Sequence, residues 1–145
     1  SNQASKDYVF DVERFTSFEG NTGPYIMYTI VRIKSLLAKV KANGINIDEQ
    51  SAILPADNKS VTDVMLSMSK WEEVVQAAYE EQAPHKICQF VYELSDAFNK
   101  FYHENKIVTN PDEKTRESFV KLSALVGEIL ETAVSLLGLE APDRM

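Results

Sequence analysis

Apolar residues recur along this chain at steps of three and four, and strict alternation is nowhere sustained. That pattern predicts helices throughout and no sheet. The first run is Ile26, Ile30, Ile33, Leu37 and Val40, a single stripe along one helix. Asn21 and Thr22 are cap candidates at its start, and Pro24 falls in the first turn, where its missing N–H costs nothing. Gly44 in "ANGINI" is expected just past its end. A second run carries Val64, Met65, Met68, Trp71, Val74, Val75 and Ala78, with a break expected near Ser69. Ser60 with Asp63 three residues on reads as its capping box. Pro84 restarts the chain into Ile87, Phe90, Val91, Leu94, Ala97, Phe98 and Phe101. In "VTNPDEKTRESF" Asn110 reads as a cap and Pro111 as the first residue of a last helix, with Asp112 and Glu113 favouring its N-terminus. Its stripe runs Phe119, Leu122, Leu125, Val126, Ile129, Leu130, Ala133, Leu136 and Leu137, and Gly138 ends it. The expected fold is all-α, a bundle of four to five helices. Residues 1–22 read as an extended lead-in and residues 23–145 as the helical body.

The length, 145 residues, suits one domain with its own core. With 44% apolar and 26% charged residues, the composition is that of an ordinary folded domain. No apolar run approaches the roughly 20 residues of a membrane span, and the first residues lack a signal-peptide core. One cysteine, Cys88, cannot close an internal disulfide. The cytoplasm is the expected location, with no membrane partner. Ser1-Asn2 in place of an initial Met reads as a tag remnant on a piece of something longer.

The net charge of −7 changes the functional picture. It argues against binding nucleic acid by bulk electrostatic attraction, which needs a basic surface. Recognition by stacking on exposed bases is still open. The candidate catalytic groups are few. "GNTGPY" lacks both the Gly-Lys-Ser/Thr ending of a phosphate loop and the G-x-G-x-x-G spacing, and follows no strand. His85 and His103 stand apart from metal-spaced ligands, so no metal site is expected. Cys88 lies one turn from His85, but without an orienting third group it reads as a buried structural thiol. The pairs Glu72-Glu73 and Glu80-Glu81 read as solvated faces. No catalytic centre is expected.

Tyr25, Tyr28 and Arg32 share one face of the first helix, about 100° round from the isoleucine stripe. Two readings stand on residue pattern alone. On the first, the tyrosines extend the buried face with hydroxyls reaching solvent, a common arrangement. Alternatively they form a stacking platform, two aromatic faces with a guanidinium one turn on, suited to unstacked RNA bases.

Three segments carry a resemblance. "FEGNTGPYIMYTIVRIKSLL" resembles the segment that opens the C-terminal, DALR-type anticodon-binding domain of arginyl-tRNA synthetases. "YELSDAFNKFYHENKIV" is similar to a later helix of that domain, and "ETAVSLLGLEAPDRM" to its ending. The three motifs keep the family order and cover most of the chain. The resemblance implies a parent enzyme that joins arginine to its tRNA using ATP, of which this chain is only the anticodon-binding part. No cofactor is then expected here, ATP and arginine belonging to the parent's catalytic domain, with that domain and arginine tRNA as partners. Residues 8–18, "YVFDVERFTSF", would be the stretch that joins that domain.

Carried over residue by residue, the resemblance implies anticodon contacts at Tyr25, Tyr28, Arg32, Tyr102 and Met145. The chain departs from the family at Met27 and at Thr29-Ile30-Val31, where Gln and Ala-His-x are usual. On this reading the loop bases are stacked and enclosed by Tyr25, Tyr28, Tyr102 and Met145. Arg32 meets a base face or a phosphate, and the local cations Arg32, Lys34, Lys39 and Lys41 outweigh the net acidity. The rival expectation is a helical protein–protein interaction module with no RNA role, for which the tyrosine face is an apolar docking patch.

Overall fold

The computed structural model describes residues 22–47 and 51–138. Five helices follow in order: α1 (Thr22–Ala42), α2 (Lys59–Ser69), α3 (Trp71–Glu80), α4 (His85–Glu104) and α5 (Glu113–Leu136). Among the described residues there is no strand, so the all-α bundle holds. Thr22, a cap candidate in the sequence, already lies in α1.

Helix α4 is the central element and packs against each of the other four. Its buried positions show why. Ile87, Cys88, Phe90, Val91, Leu94, Ser95, Phe98, Asn99 and Phe101 are all buried, which at about 100° per residue covers roughly half the helix circumference. A helix that meets a single neighbour needs only a narrow stripe. Phe101 sits edge-on to Phe119 of α5 with ring centroids 5.1 Å apart, and Phe90 stacks with Trp71 of α3 at 5.2 Å. Cys88 is fully buried, as expected of a structural thiol.

The isoleucine stripe of α1 is buried as the periodicity requires: Ile26, Ile30 and Ile33 are at most 1% exposed. Leu36, and not Leu37, continues it, while Leu37 is only partly buried against the core. Where α1 crosses α5, Gly127 makes room for it. A methyl group there would come within 3.0 Å of the Ile33 Cγ2.

Helix ends account for most departures from expectation. Gly44 closes α1 at φ +73°. Its N–H donates to the Lys41 carbonyl and that of Ile45 to the Val40 carbonyl, the paired bonds of a Schellman end. Gly138 closes α5 at φ +83°. The break near Ser69 falls at Lys70, whose N–H donates to the Ser67 carbonyl. The expected cap Ser60 is instead the second residue of α2. Asn58 is the cap, its side chain accepting from the Val61 N–H at 3.0 Å while Ser60 donates its hydroxyl to the same oxygen. Likewise Asp112, not Asn110, caps α5, accepting from both the N–H and the hydroxyl of Thr115. Asn110 accepts from the Asp112 N–H and so holds the approach to the helix. In both places several cap-competent residues stand in a row, and which is chosen depends on whose oxygen reaches an unpaired N–H.

The segment leading into α2 is tied to α5. Ser118 accepts from the Leu54 N–H, Ser51 donates to Glu117, and Lys121 donates to the Ser51 carbonyl. Among the described residues, no helix is long and apolar enough to cross a membrane.

Candidate nucleic-acid interface

Tyr25, Tyr28 and Arg32 line the seam between α1 and α4, on the same side as Tyr102. Tyr25 meets Tyr92 and Asp96, whereas Arg32 meets Asn99, Tyr102 and His103. Contacts that advance together along both helices mean that α1 and α4 run in the same direction here. The seam borders an open cavity of about 450 Å³, lined by Tyr25, Tyr28, Arg32, Asp96, Asn99 and His103, with Lys100 and Glu104 at its side.

Arg32 is the most connected side chain of the group. Its Nη1 donates to the Asn99 Oδ1 at 2.8 Å and lies 3.3 Å from the His103 Nε2. Its Nη2 donates to the Tyr28 hydroxyl at 2.7 Å. The guanidinium carbon sits 4.3 Å from the centre of the Tyr102 ring and 4.9 Å from that of Tyr28. With a guanidinium nitrogen bonded to its hydroxyl, Tyr28 is held at its polar end and keeps ring surface free. Tyr102 is covered on one side by the cation. Arg32 therefore directs a donor from each Nη to the protein's own groups and contacts both tyrosine rings.

The tyrosines differ accordingly. Tyr28 is 48% exposed and, with Tyr92 at 44%, gives the seam open aromatic surface. Tyr25 is half-buried: its hydroxyl donates to Asp96 at 3.4 Å and accepts from Asn99 at 3.0 Å, and its ring tilts against Tyr92 at 5.6 Å. Burial pushes the Tyr25 phenol above its ordinary pKa, the Asn99 hydrogen bond pulls it down, and the Asp96 charge adds to the rise. Tyr102 packs on Phe98 at 6.1 Å. Met145 and residues 8–18 lie outside the described residues.

Four groups of the seam escaped the sequence reading: Tyr92, Asp96, Asn99 and His103, which recur along α4 at steps of four, three and four. The signal was present, since a second stripe with one aromatic and three polar residues runs beside the apolar one. Nothing in the sequence says that this stripe faces Tyr25 and Arg32. The local cations also sort differently from expectation. Lys34 lies about 180° around α1 from the tyrosine face, where its Nζ pairs with Glu131 of α5 at 3.1 Å. Lys41 falls on that far side too, while Lys39 shares the azimuth of the tyrosine face but does not line the cavity. Around the cavity, Asp96 and Glu104 offset Arg32 and Lys100, and Lys100 pairs with Asp96 at 3.3 Å. Such a site offers aromatic surface and hydrogen-bonding groups without an excess of positive charge.

Residues 26–145 match the family model described as the DALR anticodon binding domain. The chain is 56% identical over 146 residues to an arginine–tRNA ligase of Agathobacter rectalis, and 43% identical over 145 residues to that of Alkaliphilus oremlandii. Both comparisons cover 100% of this chain and 24% of the relative, so the chain spans about a quarter of the length of the curated relatives it matches. The solved arginyl-tRNA synthetase of Thermus thermophilus superposes with a TM-score of 0.73 at 30% identity, covering 88% of this chain and 22% of that one.

Proposed function

The chain belongs to the DALR anticodon binding domain family, and from that premise we propose that it recognises the anticodon loop of arginine tRNA through the α1–α4 seam. The observation that carries the reading is the pairing of an exposed aromatic, Tyr28, with a guanidinium held between two tyrosines beside an open cavity. An unstacked base finds ring surface on Tyr28 and hydrogen-bonding groups in the cavity wall, the combination by which proteins read splayed single-stranded RNA. Tyr25, anchored by Asn99 and Asp96, forms the wall beside it, while Arg32 fixes the polar end of Tyr28 and covers Tyr102. Tyr102 borders the same site, and Met145 is proposed to close it from the chain's end.

Stacking is worth roughly 1–3 kcal/mol per base, so a chain of net charge −7 can bind a loop without a basic patch. In an arginine–tRNA ligase the chemistry with ATP and arginine lies in the catalytic domain, and this domain supplies contacts to the tRNA. On this reading the setting is the cytoplasm, and the partners are the tRNA and that catalytic domain.

The test is a titration of the chain with an arginine-tRNA anticodon stem-loop at low salt, beside the same loop with its middle cytidine replaced. The expected result is weaker binding of the altered loop and a loss of about tenfold, ~1.4 kcal/mol, for Tyr28→Ala. Equal, weak binding of both loops, unmoved by Tyr28→Ala, would sink the reading and favour a protein-docking role for the tyrosine face.

A further inference from the structure

We propose that Asn99 is the positioning residue of this site, a single buried amide that orients Tyr25 and Arg32 together and, through Arg32, Tyr28 and Tyr102. The inference rests on the anticodon-binding reading of the seam. Asn99 is 8% exposed, so water is a poor competitor for its hydrogen bonds. Its Nδ2 donates to the Tyr25 hydroxyl at 3.0 Å and to the Thr29 Oγ1 at 2.9 Å, and its Oδ1 accepts from Arg32 at 2.8 Å. Both donors and the acceptor of the amide are thus used.

The partners themselves fix which way the amide points. Arg32 can only donate, so it must face the carbonyl oxygen. Thr29 spends its own proton on the Tyr25 carbonyl at 2.9 Å and is left as an acceptor for Nδ2. The Tyr25 hydroxyl, accepting from Asn99, is then obliged to send its proton to Asp96. One amide so sets a direction for every bond in the chain Arg32–Asn99–Tyr25–Asp96.

No other side chain of that size does this. Leucine matches the shape but has no polar atom, and aspartate cannot donate to both Tyr25 and Thr29. Tyr25 and Arg32 lie seven residues apart on α1, about two turns, and Asn99 spans the distance from the facing helix. Released from it, Arg32 has rotamer freedom to leave Tyr28 and Tyr102, and the Tyr25 hydroxyl loses its donor. Asn99 does not need to touch RNA to act. It limits the orientations of the groups that do, which lowers the ordering cost on binding.

The experiment is a double-mutant cycle read by stem-loop affinity. Asn99→Leu fills the space without the amide, and Asn99→Ala removes the amide and leaves space. Each is made alone and in a Tyr25→Phe, Arg32→Ala background, and binding is measured at a temperature where circular dichroism shows every variant folded. Val126→Ala, a core change on α5, serves as the stability control. The expectation is that each Asn99 variant alone weakens binding about tenfold and costs less than about twofold more in the background lacking its partners, because coupled residues are not additive. Val126→Ala should leave affinity unchanged. The proposal is overturned if both Asn99 variants bind within twofold of the parent, or if their loss is as large in the background as alone. A parent chain that fails to distinguish the cytidine loop from the altered one would instead remove the anticodon reading, and this proposal with it.

Discussion

Replacing Arg32 tests whether the seam is ordered before any RNA arrives. Arg32→Ala removes the bond to Asn99, the bond to Tyr28 and the stack on Tyr102. The exposed bond to Tyr28 contributes little, because water replaces it. The bond to buried Asn99 is worth about 1 kcal/mol net, and leaving that carbonyl oxygen unpaired adds a further cost on the order of 1 kcal/mol. The cation over Tyr102 contributes about 0.5–1 kcal/mol at a partly exposed site. Arg32→Ala should therefore destabilise the chain by roughly 2–3 kcal/mol. Arg32→Lys keeps the charge and returns a donor to Asn99, but loses the planar fork that reaches Tyr28 while lying on Tyr102. Its cost should be about 1 kcal/mol. Urea unfolding with a shared slope measures both, and thermal melts should show a fall of roughly 2–4 °C for each kcal/mol. An alanine variant within ~0.3 kcal/mol of the parent would mean the guanidinium is not held in solution as described. A lysine variant as costly as alanine would refute the assignment of the larger share to the Asn99 pairing.

Three further outcomes follow from named contacts. Asn58→Ala should cost about 1–2 kcal/mol in the same unfolding assay, since Asn58 caps α2 and also donates to Asn105; an equal or larger loss for Ser60→Ala would return the cap to Ser60. The Asp112 carboxyl is held below its ordinary pKa by the Thr115 hydroxyl and N–H, so its stabilisation is complete above the usual carboxylate range and is lost as pH falls through and below that range. Asp112→Asn, which caps but does not titrate, should keep the neutral-pH stability and flatten the acid limb of a stability–pH curve; an unchanged limb would exclude Asp112 as its source. The Tyr25 phenol, raised by burial, should ionise as a late component, above the ordinary phenol pKa, in an absorbance titration at alkaline pH, and the stability tied to its neutral form, complete below the ordinary phenol pKa, should be lost as pH rises through the folded value. Loss of that late component in Tyr25→Phe is the check; its persistence would assign it elsewhere.

Periodicity alone located the helices and most of the buried positions of α1, α4 and α5, but of the run from Val64 to Ala78 only Val64 and Ala78 are buried. Ile26, Ile30 and Ile33 lie where 3.6 residues per turn places them, and Gly44 and Gly138 end their helices with the positive φ that glycine accepts without strain. The same arithmetic put Tyr25, Tyr28 and Arg32 on one face. These are properties of a single helix, fixed by backbone geometry over a few residues. Cap identity was less legible, because Asn58 and Ser60, or Asn110 and Asp112, are chemically equivalent until one oxygen comes within reach of an unpaired N–H. What faces the tyrosines was decided only by the tertiary structure. Asn99 is 67 residues from Arg32 and 74 from Tyr25 in sequence, and it meets them because α4, buried over about half its circumference, turns its polar stripe toward α1. The same packing sends Lys34 to Glu131 on the far side of α1 and commits Arg32 to Asn99, Tyr28 and Tyr102. The side chains that could form this seam are written locally, but the pairing among them depends on how two helices cross, and that is set by the whole core.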